Sequence, residues 1–198
     1  LNEKAVRSAD RAARIASGVV AFSGNPLPAE VPPLQLEMPD TGAPPDYFGI
    51  GGWEFCSRRF REVLAQPDHV VQFAPVDLIS GNARARAQEY RRMRVLACEP
   101  VMDMERSEYE PADILMIPEL PAPRALYVLR YALLENIQPR TGIFRIDRTP
   151  GDLMVTDAVA RQMLLAGCTG VEFRDPTVPI FRGMYRIRTA TGVVEIRT

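Results

Sequence analysis

LMVTDAVARQMLLAGCTGVEFRDP, residues 153–176, spells a strand, a helix cap, a helix, a glycine stop and a second strand. The Thr156 hydroxyl can accept from the open N–H groups of a first helical turn. Asp157 behind it suits the positive end of the helix dipole. Val159, Met163 and Leu164 fall on the core side, and Gly167 suits the left-handed position that ends a helix. WEFCSRRFREVLAQPDHVVQFAPV, residues 53–76, follows the same plan. Ser57 matches Thr156, Phe60 matches Val159, and Leu64 matches Met163. After one extra residue in the second copy, Val71-Gln72-Phe73 matches Val171-Glu172-Phe173. Two related strand–helix–strand units in one chain give an α+β fold with a mixed sheet.

Outward from these units, Tyr47 to Gly52 leads into a short strand ending at Phe55, and Val70 to Phe73 forms another. Residues 77–87 read as a loop turning at Ser80-Gly81-Asn82. A long strand over 89–101, bent at Pro100, comes next. Ile114 to Ile117 is a short apolar strand. Residues 125–134 fit both the helical and the strand period; a strand is expected because a turn and the strand Ile143–Ile146 follow directly. Met184 to Arg188 and Val193 to Arg197 flank Thr189-Ala190-Thr191-Gly192 as a C-terminal β-hairpin. In front of all this, Val6, Ala9, Ala13, Ala16 and Val20 share one face of a helix over 3–22. Residues 26–45 hold seven of the 18 prolines, which suits an extended surface linker rather than a helix or central strand. The expected organisation is therefore 1–46 as N-terminal helix and proline-rich linker, and 47–198 as an α+β domain.

A chain of 198 residues can bury roughly 70% of its unfolded surface, so a core needs neither disulfide nor metal. The net charge of −1 gives no general attraction to nucleic acid or anionic membrane. Cys56, Cys98 and Cys168 lack zinc-site spacing and read as buried free thiols of a reducing compartment. Residues 1–22 carry six charges and no apolar secretory segment. No run approaches the roughly 20 apolar residues of a membrane span. A cytoplasmic protein without membrane contact is the expectation.

No residue set announces catalysis. His69, the one histidine, falls in a turn, which leaves a serine or cysteine nucleophile without its usual base. GxSxG is absent, and the glycines at 49, 51 and 52 have neither GxGxxG spacing nor a following lysine. No cofactor is implied. Glu99, Asp103 and Glu105 are the one close set of carboxylates. Asp103 and Glu105 would share a strand face, where they could act as acid and base or bind a divalent cation. The alternative is pairing with Arg84, Arg86, Arg91, Arg92 and Arg94 upstream, the commoner fate of such charge runs. Tyr90 within that arginine stretch gives slight support for nucleic-acid binding. The acidic run through Glu108, Glu110 and Asp113 opposes it.

Three stretches carry a family resemblance. They are SRRFREVLAQPDHVVQFAPV (57–76), VLACEPVMDMERSEYE (95–110) and IFRIDRTPGDLMVTDAVARQMLLAGCTGVEF (143–173). The first has a serine, a short helix and a strand ending Phe-x-Pro-Val. The second has a strand, then Asp103, Glu105-Arg106, Ser107 and Tyr109. The third has a Phe-Arg strand, a turn, the capped helix and Thr-Gly-Val-x-Phe. Together, over about 47–176, the chain resembles a bacterial polymorphic-toxin immunity family first known as a domain of unknown function. It departs from that pattern at Tyr90-Arg91-Arg92-Met93-Arg94, where the family's strand begins rich in aromatics. The resemblance implies a non-enzymatic protein that binds and neutralises a cognate toxin in interbacterial competition. The expected partner surface is Arg91, Arg92 and Arg94, or Asp103, Glu105, Ser107 and Tyr109. The alternative is a small-ligand binder or enzyme that uses Asp103, Glu105 and Ser107 in a cleft.

Overall fold

The computed structural model describes residues 6–7, 33–38, 40, 42–50, 53–111, 126–135, 138–147, 149–177 and 193–197. From the amino end, β1 (Val6–Arg7) and β2 (Leu34–Glu37) precede a hairpin of β3 (Tyr47–Ile50) and β4 (Trp53–Cys56). Helix α1 (Arg58–Leu64), β5 (Val71–Ala74), β6 (Val76–Ile79), the short α2 (Ala83–Ala87) and β7 (Arg91–Val95) follow. The chain continues through β8 (Cys98–Glu99), β9 (Glu108–Pro111), β10 (Leu126–Arg130), β11 (Ile143–Ile146) and β12 (Thr149–Thr156). Helix α3 (Asp157–Leu165), β13 (Glu172–Arg174) and β14 (Val193–Arg197) complete the described elements. The chain divides into two compact units. Residues up to Leu96 and Met163–Val171 form the first, Ala97–Gln162 and Glu172–Arg197 the second.

Both copies of the repeat take the local form their sequences specify. Ser57 Oγ accepts from Phe60 N at 3.1 Å, and Thr156 Oγ1 accepts from Val159 N at 3.5 Å. Phe60, Leu64, Val159 and Met163 are all buried, each contributing about 1.5–3 kcal/mol by leaving water. Leu164, expected on the core side with them, is instead 42% exposed, lying about 100° round the helix from Met163. Gly167 has φ +67°, the left-handed geometry expected of it.

The likeness extends beyond the quoted stretches. In the first unit the sheet order is β3-β4-β7-β5, and in the second β11-β12-β14-β13 with β8 added beyond β11. Each is a hairpin, a helix and a third strand, with a later strand inserted between the second and third. Because β7 runs antiparallel to both β4 and β5, those two are parallel but not adjacent; β14 stands in the same relation to β12 and β13. Register is kept as well. Met93 lies across from both Glu54 and Phe73, while Ile196 lies across from both Leu153 and Phe173. Leu153 and Phe173 are the repeat partners of Glu54 and Phe73 in the alignment above.

Each unit has its own core. Leu34, Leu36, Met38, Phe48, Trp53, Phe55, Ala85 and Tyr90 cluster in the first. Val101, Met102, Val128, Tyr131, Leu133, Phe144, Ile146 and Met154 cluster in the second.

Several expectations are corrected. The proline-rich stretch contains β2, which lies between β1 and β6 as the middle strand of its sheet. Leu34-Gln35-Leu36-Glu37 carries no proline, and its strict alternation buries Leu34 and Leu36. Val6–Arg7 form a strand on β2 where a helix is expected; residues 8–32 lie outside the described residues. Residues 77–87 are β6 and α2 instead of a loop, because Asn82 Oδ1 accepts from Arg84 N and Ala85 N and so caps a helix. The strand expected over 89–101 forms as β7 and β8 with a break between them. β14 pairs with β12 on one edge and with β13 on the other; residues 184–188, the other strand of the expected hairpin, lie outside the described residues, as do 114–117.

One buried carboxylate holds the first unit at the start of β3. Asp46 is fully buried and accepts from Ser57 Oγ at 2.7 Å, Arg59 Nε at 3.1 Å, Thr169 N at 2.8 Å and Thr169 Oγ1 at 3.0 Å. The second Arg59 nitrogen pairs with its other oxygen. The backbone closes the same joint: Thr169 O accepts from Asp46 N at 3.0 Å and Tyr47 N at 3.2 Å. Next to it, Gly170 has φ +80°, and a Cβ there would strike the Tyr47 carbonyl.

Gly170→Ala must therefore both strain the backbone and part Thr169 from β3, whereas Gly167→Ala has open space and only the strained φ. Urea unfolding should show Gly170→Ala costing about 2–3 kcal/mol and Gly167→Ala about 1 kcal/mol. Equal losses would remove the close approach as the cause. Burial pushes Asp46 up, but hydrogen bonds from Arg59, the Thr169 backbone, Ser57 and the Thr169 side chain outweigh it and hold the carboxyl below its ordinary value. A depressed folded value means stability that is complete above the unfolded carboxylate value and lost as pH falls through the folded one. Asp46→Asn should cost on the order of 3 kcal/mol at neutral pH. It should also flatten the acid limb of a stability–pH curve.

Candidate functional site

The arginine stretch enters the first unit as the end of α2 and the whole of β7. Arg84 and Arg86 are exposed on a helix of five residues, and Arg91 is exposed at the start of β7. Arg92 and Arg94 are buried, at 2% and 5% exposure. Both alternate onto the face of the sheet that carries Phe55, which lies directly across from Arg92. The Arg92 guanidinium sits 4.7 Å over the Trp53 ring, an attraction of about 2 kcal/mol when desolvated. Burial lowers its pKa, though a guanidinium stays charged throughout the working range. Its Nε has no hydrogen-bond partner among the described residues. As a run of basic residues this stretch suggests a solvated rim. In the fold, however, β7 is buried on both faces from Arg92 to Val95, and only Arg91 stays exposed.

The acidic stretch belongs to the second unit and is built differently. Glu99 is buried and accepts from Arg140 Nε at 3.1 Å, so it serves the fold. Asp103 and Glu105 lie in a turn and not, as expected, on one strand face. Asp103 Oδ1 accepts from Glu105 N at 3.0 Å and Arg106 N at 3.2 Å, the way a short polar side chain closes a turn. Its backbone N–H donates to Ala132 O at 2.8 Å. Ser107 donates to Ala132 O at 3.2 Å and accepts from Ala132 N at 2.9 Å. Of the three residues expected to line a cleft, the side chains of Asp103 and Ser107 are thus engaged in holding 103–107 in place, and that of Glu105 is not.

What this scaffold presents is a mixed surface. Arg106 pairs with Glu135 at 3.4 Å and Asp103 at 3.9 Å, and Arg130 pairs with Glu108 at 2.6 Å. Glu105 is exposed and makes no side-chain bond or ion pair among the described residues. Tyr109 and Leu134 are 38% and 43% exposed. Leu134 and Glu135 carry no motif signal in the sequence. They become part of this surface because Leu133 bridges to Met102, which directs the following two residues outward. The side chain of Glu110 and all of Asp113 lie outside the described residues.

The other candidate groups offer no chemistry. His69 is exposed in the turn after α1. Burial raises the Cys56 thiol to about 12, and burial also raises Cys98 and Cys168, so none is a ready thiolate. Cys98 is exposed, contrary to the expectation of three buried thiols; it lies on the two-residue strand β8 at a sheet edge. Among the described residues no group of three His, Cys, Asp or Glu is placed to hold a metal ion. No described helix is long and apolar enough to cross a membrane.

Against known families, residues 2–178 match the immunity protein family Imm11. The chain belongs to the Imm11 immunity protein family. Its function is accordingly immunity, the neutralisation of a toxin, and the ligand-binding or enzymatic alternative has no support. The match takes in residues 2–46, which lie outside the motifs quoted above. No curated protein matches the chain.

The burial contrast within β7 has a measurable consequence. Arg91→Glu should alter unfolding free energy by no more than about 0.5 kcal/mol, as for most surface changes. Arg92→Glu buries an unpaired carboxylate and should cost about 3 kcal/mol or more. Chemical denaturation of the two variants would measure the difference, and comparable values would contradict the burial of Arg92.

Proposed function

We propose that this Imm11 member neutralises its toxin by binding it directly, in the cytoplasm, without any catalytic step. The observation that carries this reading is the fate of Asp103 and Ser107. The best candidates for chemistry are tied into the backbone of a turn, and the exposed remainder of that region is charge and apolar surface. Occupancy needs complementary shape and potential rather than reactive groups. The core of the second unit, built on β10, β11 and β12, underlies such a surface. Interbacterial competition is the setting that toxin neutralisation fits, with the chain protecting the producing cell and its kin.

The test is growth of a bacterial host expressing the polypeptide of the adjacent reading frame, with and without this chain. Rescue together with co-elution of the two as a stable complex on a sizing column is the expected result. Rescue without a complex, or with the toxin chemically altered, would falsify neutralisation by occupancy.

A further inference from the structure

We infer that the toxin docks on the second unit, where the 103–107 turn meets the end of the β9–β10 pair, and that its contacting face is basic. This rests on the direct-binding reading. The first unit's arginine stretch is a poor counterpart, since Arg92 and Arg94 are spent inside the fold. The turn region, by contrast, places four carboxylates (Asp103, Glu105, Glu108 and Glu135) against two guanidiniums (Arg106 and Arg130). Among the described residues the excess there is negative, while the chain as a whole carries only −1.

Charge alone would describe a solvated face. The independent observation is apolar: Tyr109 on β9 and Leu134, the neighbour of Glu135, are 38% and 43% exposed. Tyrosine brings a large, nearly rigid contact area and is enriched among residues that dominate binding energy. Acidic groups in the turn that precedes β9 suit a rim that steers a basic partner and sets the association rate.

Pre-organisation supports the same assignment. The Asp103 carboxylate and Ser107 hydroxyl fix the turn through backbone hydrogen bonds, so little ordering remains for the bound state. Glu105 extends from this turn with no ion-pair partner among the described residues. A basic group arriving there displaces water but breaks no existing pair.

The experiment measures association and dissociation rates of the full chain with the growth-arresting polypeptide of the adjacent reading frame, at low and moderate salt. Variants are E105K/E135K, Tyr109→Ala and, as a control on the first unit, R84E/R86E. All the altered side chains are at least partly exposed, and thermal unfolding checks that each variant is folded. The expected result is a roughly tenfold slower association for E105K/E135K at low salt, shrinking as salt rises. Tyr109→Ala should dissociate about tenfold faster, and R84E/R86E should match the parent. If a complex forms and only the control weakens it, or no variant does, the docking surface is wrong while direct binding stands. If rescue occurs with no complex at all, direct binding itself fails and the docking surface with it.

Discussion

Asp46 is the constraint on which the first unit depends. Its carboxylate is fully buried, yet it joins the start of β3 and the cap of α1 to the loop around Thr169, which is distant in sequence. Ser57 shows how tightly these roles interlock. Its hydroxyl donates to Asp46 and accepts from Phe60 N, so the same carboxylate that closes the joint also aims the helix cap. Phe60 then stacks on Tyr47, the residue beside Asp46, with ring centroids 5.1 Å apart. Hydrogen bonding, capping and aromatic packing converge on one short segment. That convergence is why a buried charge is tolerated there: every direction from which water could have solvated it is taken by a donor.

The two units reach the same sheet order through different side chains. In the first, the inserted strand carries buried arginines, one of them stacked over Trp53. The common element is backbone register, with one residue of the inserted strand facing both helix-flanking strands. Register sets which face each residue occupies, so a repeat can drift widely in composition and keep its architecture. Glu54 and Leu153 occupy equivalent places despite having nothing chemical in common.

Much of this was legible in the sequence wherever the signal was local. The caps at Ser57 and Thr156, the buried stripes behind them, the Gly167 stop and the strand at 126–130 all follow from hydrogen-bond demand and periodicity over a few residues. What could not be read is partner choice between distant strands. Nothing in Val193–Arg197 says that it inserts between β12 and β13, and nothing in Tyr90 to Val95 says that both faces of β7 are covered from Arg92 on. The arginines therefore read as surface charge. Leu34–Glu37 was hidden by its prolines: they bracket a clean alternation and do not interrupt it. At the candidate interface, Asp103, Glu105, Ser107 and Tyr109 were visible as a motif, but Leu134 and Glu135 join them only through the bridge of Leu133 to Met102.

The reliance of the first unit on Thr169 bears on the order in which the molecule can be made. Synthesis delivers β3, β4, α1, β5 and β7 early, and they can collapse around Phe48 and Phe55. The carboxylate of Asp46 lacks the Thr169 donors until the chain has grown 123 residues beyond it. During that interval the nascent sheet has its strand order but not its lock, and the edge of β3 at Tyr47 lacks the carbonyl that later caps it. Contacts of such long sequence separation form slowly and leave strand edges open in the meantime. The half of the chain that leaves the ribosome first is thus the half completed late, and a host under attack gains a finished first unit only after most of the second has been translated.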